Sequence, residues 1–243
     1  MLGDNIDLRT ANVYGIYGHL GGGKSLTAVE LTLYFLRLGF TVVSNIEVYH
    51  TVGYKGRFEF VEDFFTVDFW KLPCGAPRGS PDSFRSVIII DECAEFFDQY
   101  SSGSPFVKQF LSWLRHSSKR GQFVFLIVQR PEFINKSLRL LINKWVVCID
   151  MEQFRLPFFR CRIPFTRRYV WRRIFDKYGN LISRGWNFAD KYEIGWYYNT
   201  AQSIALKGRE NDYKTENSKP PLHVPLPFIL AVLAWLLLLW YWQ

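Results

Sequence analysis

Cysteine is scarce in this 243-residue chain: there are four, Cys74, Cys93, Cys148 and Cys161. None forms a C-x-x-C pair and none has metal-ligand spacing, which excludes a disulfide scaffold and a cysteine-built zinc site. The thiols are expected to be reduced and buried, in a reducing compartment. No signal peptide is expected either: Met1 to Arg9 carries Asp4 and Asp7 and no apolar core. Acidic residues are outnumbered, 22 against 30 Lys and Arg, leaving a net charge of +8. That balance favours an anionic partner, either nucleic acid or a membrane surface. Charge is only 21% of the chain and apolar residues are 49%, so most of it is a packed protein. The length allows one sizeable domain, or one domain plus attachments.

Proline and glycine are absent from Lys24 to Leu38, which reads as a helix. An apolar run, Ala11 to Tyr17, reads as a strand before it. Between them lies Gly18-His19-Leu20-Gly21-Gly22-Gly23-Lys24-Ser25, the spacing G-x-x-x-x-G-K-S. Strand, glycine-rich loop and helix together make a phosphate-binding loop. Gly18 to Leu26 are the expected nucleotide-binding residues. Backbone N–H groups turn inward there, and the helix N-terminus adds partial positive charge. Lys24 is expected to reach the β- and γ-phosphates, and the Ser25 hydroxyl to sit on Mg²⁺. The expected cofactors are therefore ATP and Mg²⁺.

The helix is apolar nearly all round and should be buried on more than one side, with Gly39 stopping it. Phe40 to Ile46 reads as the second strand. Residues 47–85 read as an irregular insertion holding a short helix and a loop. Ser86 to Ile90 is a continuous apolar run, as in a strand buried on both faces, and it ends in Asp91-Glu92. Asp91 is expected to hold Mg²⁺ through its water shell, and Glu92 to orient or deprotonate the attacking water. Phe106 to Ser118 has helical spacing with Pro105 in its first turn. Phe123 to Gln129 is another buried strand, and Gln129 is expected beside the acidic pair, sensing the γ-phosphate or positioning water. Pro131 to Leu141 is a turn and short helix on which Arg139 could support the site. Trp145 to Asp150 completes the core strands, and the alternation implies a parallel sheet with helices on both faces.

From residue 151 the character changes. Arginines alternate with Phe, Tyr and Trp, and Tyr169 to Ile182 reads as a β-hairpin closed by Gly179-Asn180. Such a face suits a solvated surface, single-stranded nucleic acid, or anionic lipid. Lys191 to Tyr198 reads as a strand or loop packing back. Gln202 to Pro221 reads as a linker. Val224 to Trp242 is nineteen residues, about 28 Å of helix, just short of a ~30 Å hydrocarbon core. Lys207, Arg209, Lys214 and Lys219 precede it and nothing basic follows. The positive-inside rule then leaves the preceding domain in the cytoplasm.

These pieces, in this order, resemble the zonular occludens toxin-like family of filamentous-phage assembly ATPases. The resemblance rests on the loop, the Val43-Ser44-Asn45-Ile46 strand, Ile88 to Glu92, the Arg115-His116 to Gly121 helix end, the strand ending in Gln129, and Arg139. It implies a motor in the host bacterial inner membrane that hydrolyses ATP and drives extrusion of single-stranded DNA as coat proteins are added. Its partners would be further copies of itself (five or six in a ring), phage coat proteins, phage single-stranded DNA or its protein complex, the membrane, and an outer-membrane secretion channel. Family members commonly continue beyond the span, whereas this chain ends just after it. The catalytic set would be Glu92, Lys24, Gln129 and Arg139, the metal set Ser25 and Asp91. Arg115, Arg120, Arg130 and Arg139 are all candidates for an arginine finger. The expected fold is α/β: a P-loop NTPase core (1–150), a small basic aromatic β-hairpin region (151–201), a linker (202–223) and one C-terminal transmembrane helix (224–243). A second reading is a non-catalytic scaffold, switched by nucleotide and recruiting assembly partners. Glu92 separates the two, because a pure binding switch does not need it.

Overall fold

A computed structural model describes residues 6, 11–49, 53–75, 86–151, 169–182, 187–191, 194 and 197. The chain divides into two units, Met1–Asn199 and Thr200–Gln243, and every described residue belongs to the first. Cys161, the expected linker and the expected transmembrane helix lie outside the described residues. Among those described, no helix is long and apolar enough to cross a membrane.

The elements in chain order are β1 (Val13–Tyr17), α1 (Lys24–Arg37), β2 (Thr41–Ser44), β3 (Arg57–Phe60), β4 (Ser86–Ile90), α2 (Pro105–His116), β5 (Gln122–Val128), α3 (Lys136–Leu141), β6 (Lys144–Asp150), β7 (Tyr169–Asp176) and β8 (Asn187–Asp190). They build one eight-stranded sheet in the order β3-β2-β4-β5-β1-β6-β7-β8. The first six of that order run parallel. β7 and β8 are added antiparallel.

Strands β4 and β5 are buried along their whole length. Their side chains divide between two cores by the two-residue period of a strand. Val87, Ile89, Phe123, Phe125 and Ile127 face α1. Ile88, Ile90, Val124, Leu126 and Val128 face α2, which presents Val107, Phe110, Leu111, Trp113 and Leu114. Ten of the fourteen residues of α1 are buried, including the polar Thr27, Glu30 and Thr32. Gly39 follows with φ 88°, so the helix stops where a left-handed residue was expected.

The region 47–85 departs from its expected form. Among its described residues it contains β3, parallel to β2, and the expected short helix is two single-turn 3-10 helices, Phe64–Thr66 and Phe69–Lys71. Each turn opens on an aspartate: Asp63 accepts from the Phe65 N–H at 2.8 Å and Asp68 from the Trp70 N–H at 3.0 Å. Phe64 and Phe69 are buried under α2 with their rings stacked. Strand β3 escapes the sequence pattern because Arg57-Phe58-Glu59-Phe60 is four residues of half-exposed edge.

The hairpin also differs. Its main partner is the core sheet: β6 pairs with β7 from Lys144↔Asp176 to Asp150↔Val170. The Gly179-Asn180 turn forms as expected, with Leu181 bridging Phe175 and the Ile182 N–H donating to the Ile174 carbonyl at 2.8 Å, while β8 pairs with Tyr169 to Arg172 of β7. Arg172 points inward and is fully buried, which removes it from the expected solvated or anion-facing set. It forms an ion pair with Glu30 of α1 and donates to the Phe188 carbonyl at 3.2 Å. Ile194 joins the α1-side core, and the Tyr197 carbonyl accepts from the Tyr49 N–H, so this stretch packs back as expected. Cys93 and Cys148 are buried, but Cys74 is exposed, against expectation.

A buried ion pair is unforgiving when one partner is removed. Arg172→Met leaves the Glu30 carboxylate buried and should destabilise the fold by about 3–5 kcal/mol in chemical denaturation. Combining it with Glu30→Leu should recover most of that loss. A double variant no more stable than the single one would show that the pair is not what holds β7 to α1.

Candidate functional site

The loop Gly18–Gly23 leaves β1 at its carboxyl end and enters α1. Gly23 has φ 84°, a left-handed conformation at the helix entrance. A Cβ at that position would also collide with Val170 of β7, and one at Gly18 would collide with the Cys148 carbonyl of β6. The loop therefore rests on the backbone of β6 and the side chain of β7. Cys148 Sγ lies 3.3 Å from Thr27 Oγ1, which donates to the Gly23 carbonyl at 2.8 Å. Burial pushes the Cys148 thiol up to about 11, so it stays protonated beside the loop.

Thr27 N–H makes the first helical bond, to Gly23 O at 3.0 Å. Earlier N–H groups of α1 have no helical acceptor and open toward the loop. Lys24 Nζ folds back onto the Gly18 and His19 carbonyls, at 3.1 and 3.0 Å. Leu20 is exposed, while the Leu26 side chain is in the core, so only the main chain of Leu26 can serve a ligand.

The acidic pair comes to the same edge. Ser25 Oγ donates to Asp91 Oδ2 at 2.8 Å across 66 residues of sequence, joining the two expected metal ligands. The other oxygen of Asp91 accepts from the Glu92 N–H at 2.8 Å. Burial raises the Asp91 carboxyl above its usual range, opposed by the Ser25 hydroxyl and the Glu92 N–H. Glu92 lies just past β4, with φ 51°, the one positive φ outside glycine among the described residues. A conformation of that kind costs about 1–3 kcal/mol. Partial burial, and then a hydrogen bond and repulsion from Glu95, raise the Glu92 carboxyl, while Lys24 lowers it.

Strand order places the remaining residues. Because β5 lies between β4 and β1, Gln129 emerges between the acidic pair and the loop, exposed to solvent. Arg130 follows it on the same edge, with its guanidinium over the Phe133 ring. Arg139 lies in the middle of α3, which starts from Asn135, whose N–H donates to the Phe97 carbonyl at 2.9 Å, and leads back along the sheet. One turn after it, Asn143 donates from its N–H to the Val13 carbonyl, at the opposite end of β1. Arg115 and Arg120 are also at that far edge, since α2 runs back along the sheet and hands over to the start of β5. Arg120 is occupied: it donates to the Trp70 carbonyl at 2.8 Å and lies over the Trp70 ring. Of the four arginines expected near the site, Arg130 follows β5 at its edge, and Arg115 and Arg120 lie at the other.

Several neighbours of the site were not anticipated. Asn45 holds the main chain of Asp91 from the end of β2. Glu95 was visible as the second glutamate of Asp91-Glu92-x-x-Glu95, a spacing that one turn brings together. Val170 and Cys148 touch the loop only through strand pairing, which no local pattern signals.

In a carboxyl NMR titration, Glu92 should protonate above the ordinary glutamate range near 4.5. Its anionic form is then lost earlier as pH falls. Glu95→Gln removes the like charge and supplies an N–H donor, so the midpoint should move down. An unmoved midpoint would discard Glu95 as a contributor and leave burial as what raises the carboxyl.

The family model described as "Zonular occludens toxin (Zot)" matches residues 12–174, more than half of the chain. The Gene 1 protein of Escherichia phage If1 is 25% identical over 154 residues, covering 60% of this chain and 44% of that protein. The Gene 1 protein of Salmonella phage IKe is 24% identical over 153 residues, with 60% and 42% covered. The match thus spans less than half the length of these relatives. Among solved structures, the N-terminal domain of zonular occludens toxin from Neisseria meningitidis aligns with a TM-score of 0.43 at 14% identity, covering 81% of this chain and 97% of that one.

Proposed function

This chain belongs to the zonular occludens toxin family, and on that premise we propose that it is the ATPase of a filamentous-phage assembly motor. In this reading, hydrolysis of ATP drives extrusion of single-stranded DNA while coat proteins are added. The observation that carries it is the 2.8 Å bond from Ser25 to Asp91, which gathers loop, metal ligands and Glu92 at one sheet edge.

The residues present fit ATP and Mg²⁺. Backbone N–H groups at the start of α1 receive phosphate oxygens, and Lys24 exchanges two carbonyl partners for phosphate charge. Ser25 and Asp91 would hold Mg²⁺, which neutralises charge on the phosphates when bound. Glu92 orients water and takes its proton, a task helped by a carboxyl raised from its ordinary range. Gln129, between loop and acid, can hold the water or contact the terminal phosphate. In this reading an arginine from a neighbouring copy completes the site in a ring of five or six, with Arg115, Arg120, Arg130 and Arg139 as the candidates.

Glu92→Gln should bind ATP–Mg²⁺ like the parent and lose roughly 100-fold or more in turnover, since general-base effects run to 10²–10⁴. Lys24→Ala should weaken both binding and turnover. Phosphate release and nucleotide-binding measurements on detergent-purified protein check both. Parental turnover in Glu92→Gln would favour the nucleotide-switched scaffold.

The apolar run Val224–Trp242 would anchor the motor in the host inner membrane, with the ATPase on the cytoplasmic side set by Lys207, Arg209, Lys214 and Lys219. Protease added to spheroplasts should then spare residues 1–220. Cleavage within them from outside would reverse the topology.

A further inference from the structure

Asn45 follows the last residue of β2, and the roles given to the acidic pair do not include it. We propose that Asn45 is a positioning residue for hydrolysis: its amide fixes the main chain of Asp91 and thereby holds Glu92 in the conformation that meets the water. The proposal rests on the ATPase reading above.

The β2–β4 ladder ends at Ser44↔Ile89. Beyond it, the Asn45 side chain takes over the work of a strand. Asn45 Oδ1 accepts from the Asp91 N–H at 2.7 Å, and Asn45 Nδ2 donates to the Asp91 carbonyl at 3.1 Å. One amide thus satisfies both main-chain groups of the residue before Glu92. The residue after it is held from the other side, since Cys93 N–H donates to the Ile127 carbonyl of β5 at 2.9 Å. Glu92 is suspended between two pinned neighbours that belong to different strands. Its φ of 51° is one that a glutamate keeps only where its surroundings leave no alternative. Without the Asn45 amide, Asp91 turns, Glu92 relaxes to negative φ, and its carboxylate swings away. Phosphate binding by the loop does not depend on that turn, so affinity and turnover should separate.

The experiment uses the full chain in detergent and compares Asn45→Ala, Glu92→Gln and the double variant. Asn45→Ala should keep its KM for ATP and lose roughly 100-fold in kcat, the scale of an ångström-sized misplacement. In the Glu92→Gln background the same change should alter the residual rate by less than about twofold, because residues acting as one unit are not additive. A multiplicative loss in the double variant would overturn the proposal, as would a raised KM with unchanged kcat. A crystal structure of Asn45→Ala supplies a readout independent of activity: Glu92 should show negative φ, and retention of the left-handed conformation would refute the clamp. If the alanine variant fails to fold, Asn45→Asp keeps the acceptor for the Asp91 N–H and repels its carbonyl, and it should show the same loss in kcat at constant KM. A parent protein without Lys24-dependent turnover would sink the ATPase reading instead, and the φ of Glu92 would still decide whether Asn45 holds it.

Discussion

The seat of the phosphate loop is the constraint on which the rest of this structure depends. A loop that must aim N–H groups at one point cannot carry its own hydrophobic support, so its rigidity is borrowed from what lies beneath it. Here the support is the Cys148 carbonyl under Gly18 and Val170 under Gly23. The Glu30–Arg172 pair then locks the helix that follows the loop to the strand that carries Val170. Loop, α1, β6 and β7 form one mechanical unit, and the antiparallel addition is built into the site rather than appended to it.

The other half of the site is held differently. Asp91 and Glu92 are past the end of β4, where the sheet no longer offers a ladder. Side chains do the holding: Ser25 on the carboxylate and Asn45 on the main chain. Both bonds cross many residues of sequence, so the two halves meet only when the sheet is complete. Insertion of β5 between β1 and β4 sets the gap between them and puts Gln129 in it.

Much of this was legible in the chain. The loop, the acidic pair and the all-buried strands β4 and β5 are local patterns, and local patterns are what one sequence reveals. Strand order was not legible, because buried runs such as Val87–Ile90 and Phe123–Val128 say nothing about which neighbour each will take. Arg115 looks close to the site for that reason; the direction of α2 carries it to the far edge. Arg172 was not legible because an arginine among aromatics looks solvated until its partner Glu30, 142 residues away, is known. Strand β3 hid in a short, charged edge. Asn45 was visible as an amide ending a β-branched run, but its target lay across a gap of 46 residues.

The contact between Gly23 and Val170 also bears on how the chain finds its fold. Sliding β7 by one residue would flip every side chain to the opposite face. Arg173 would then face inward, and an arginine would still be on hand for Glu30. Charge alone therefore does not choose the pairing; burial of Val170 and Ile174 in the core helps to choose it. Size adds to this: the slipped strand would bring Tyr169 or Trp171, in place of Val170, to the floor of the loop, where even one added methyl on Gly23 has no room. The glycine that lets the loop turn thus also restricts which side chain the strand beneath it can present.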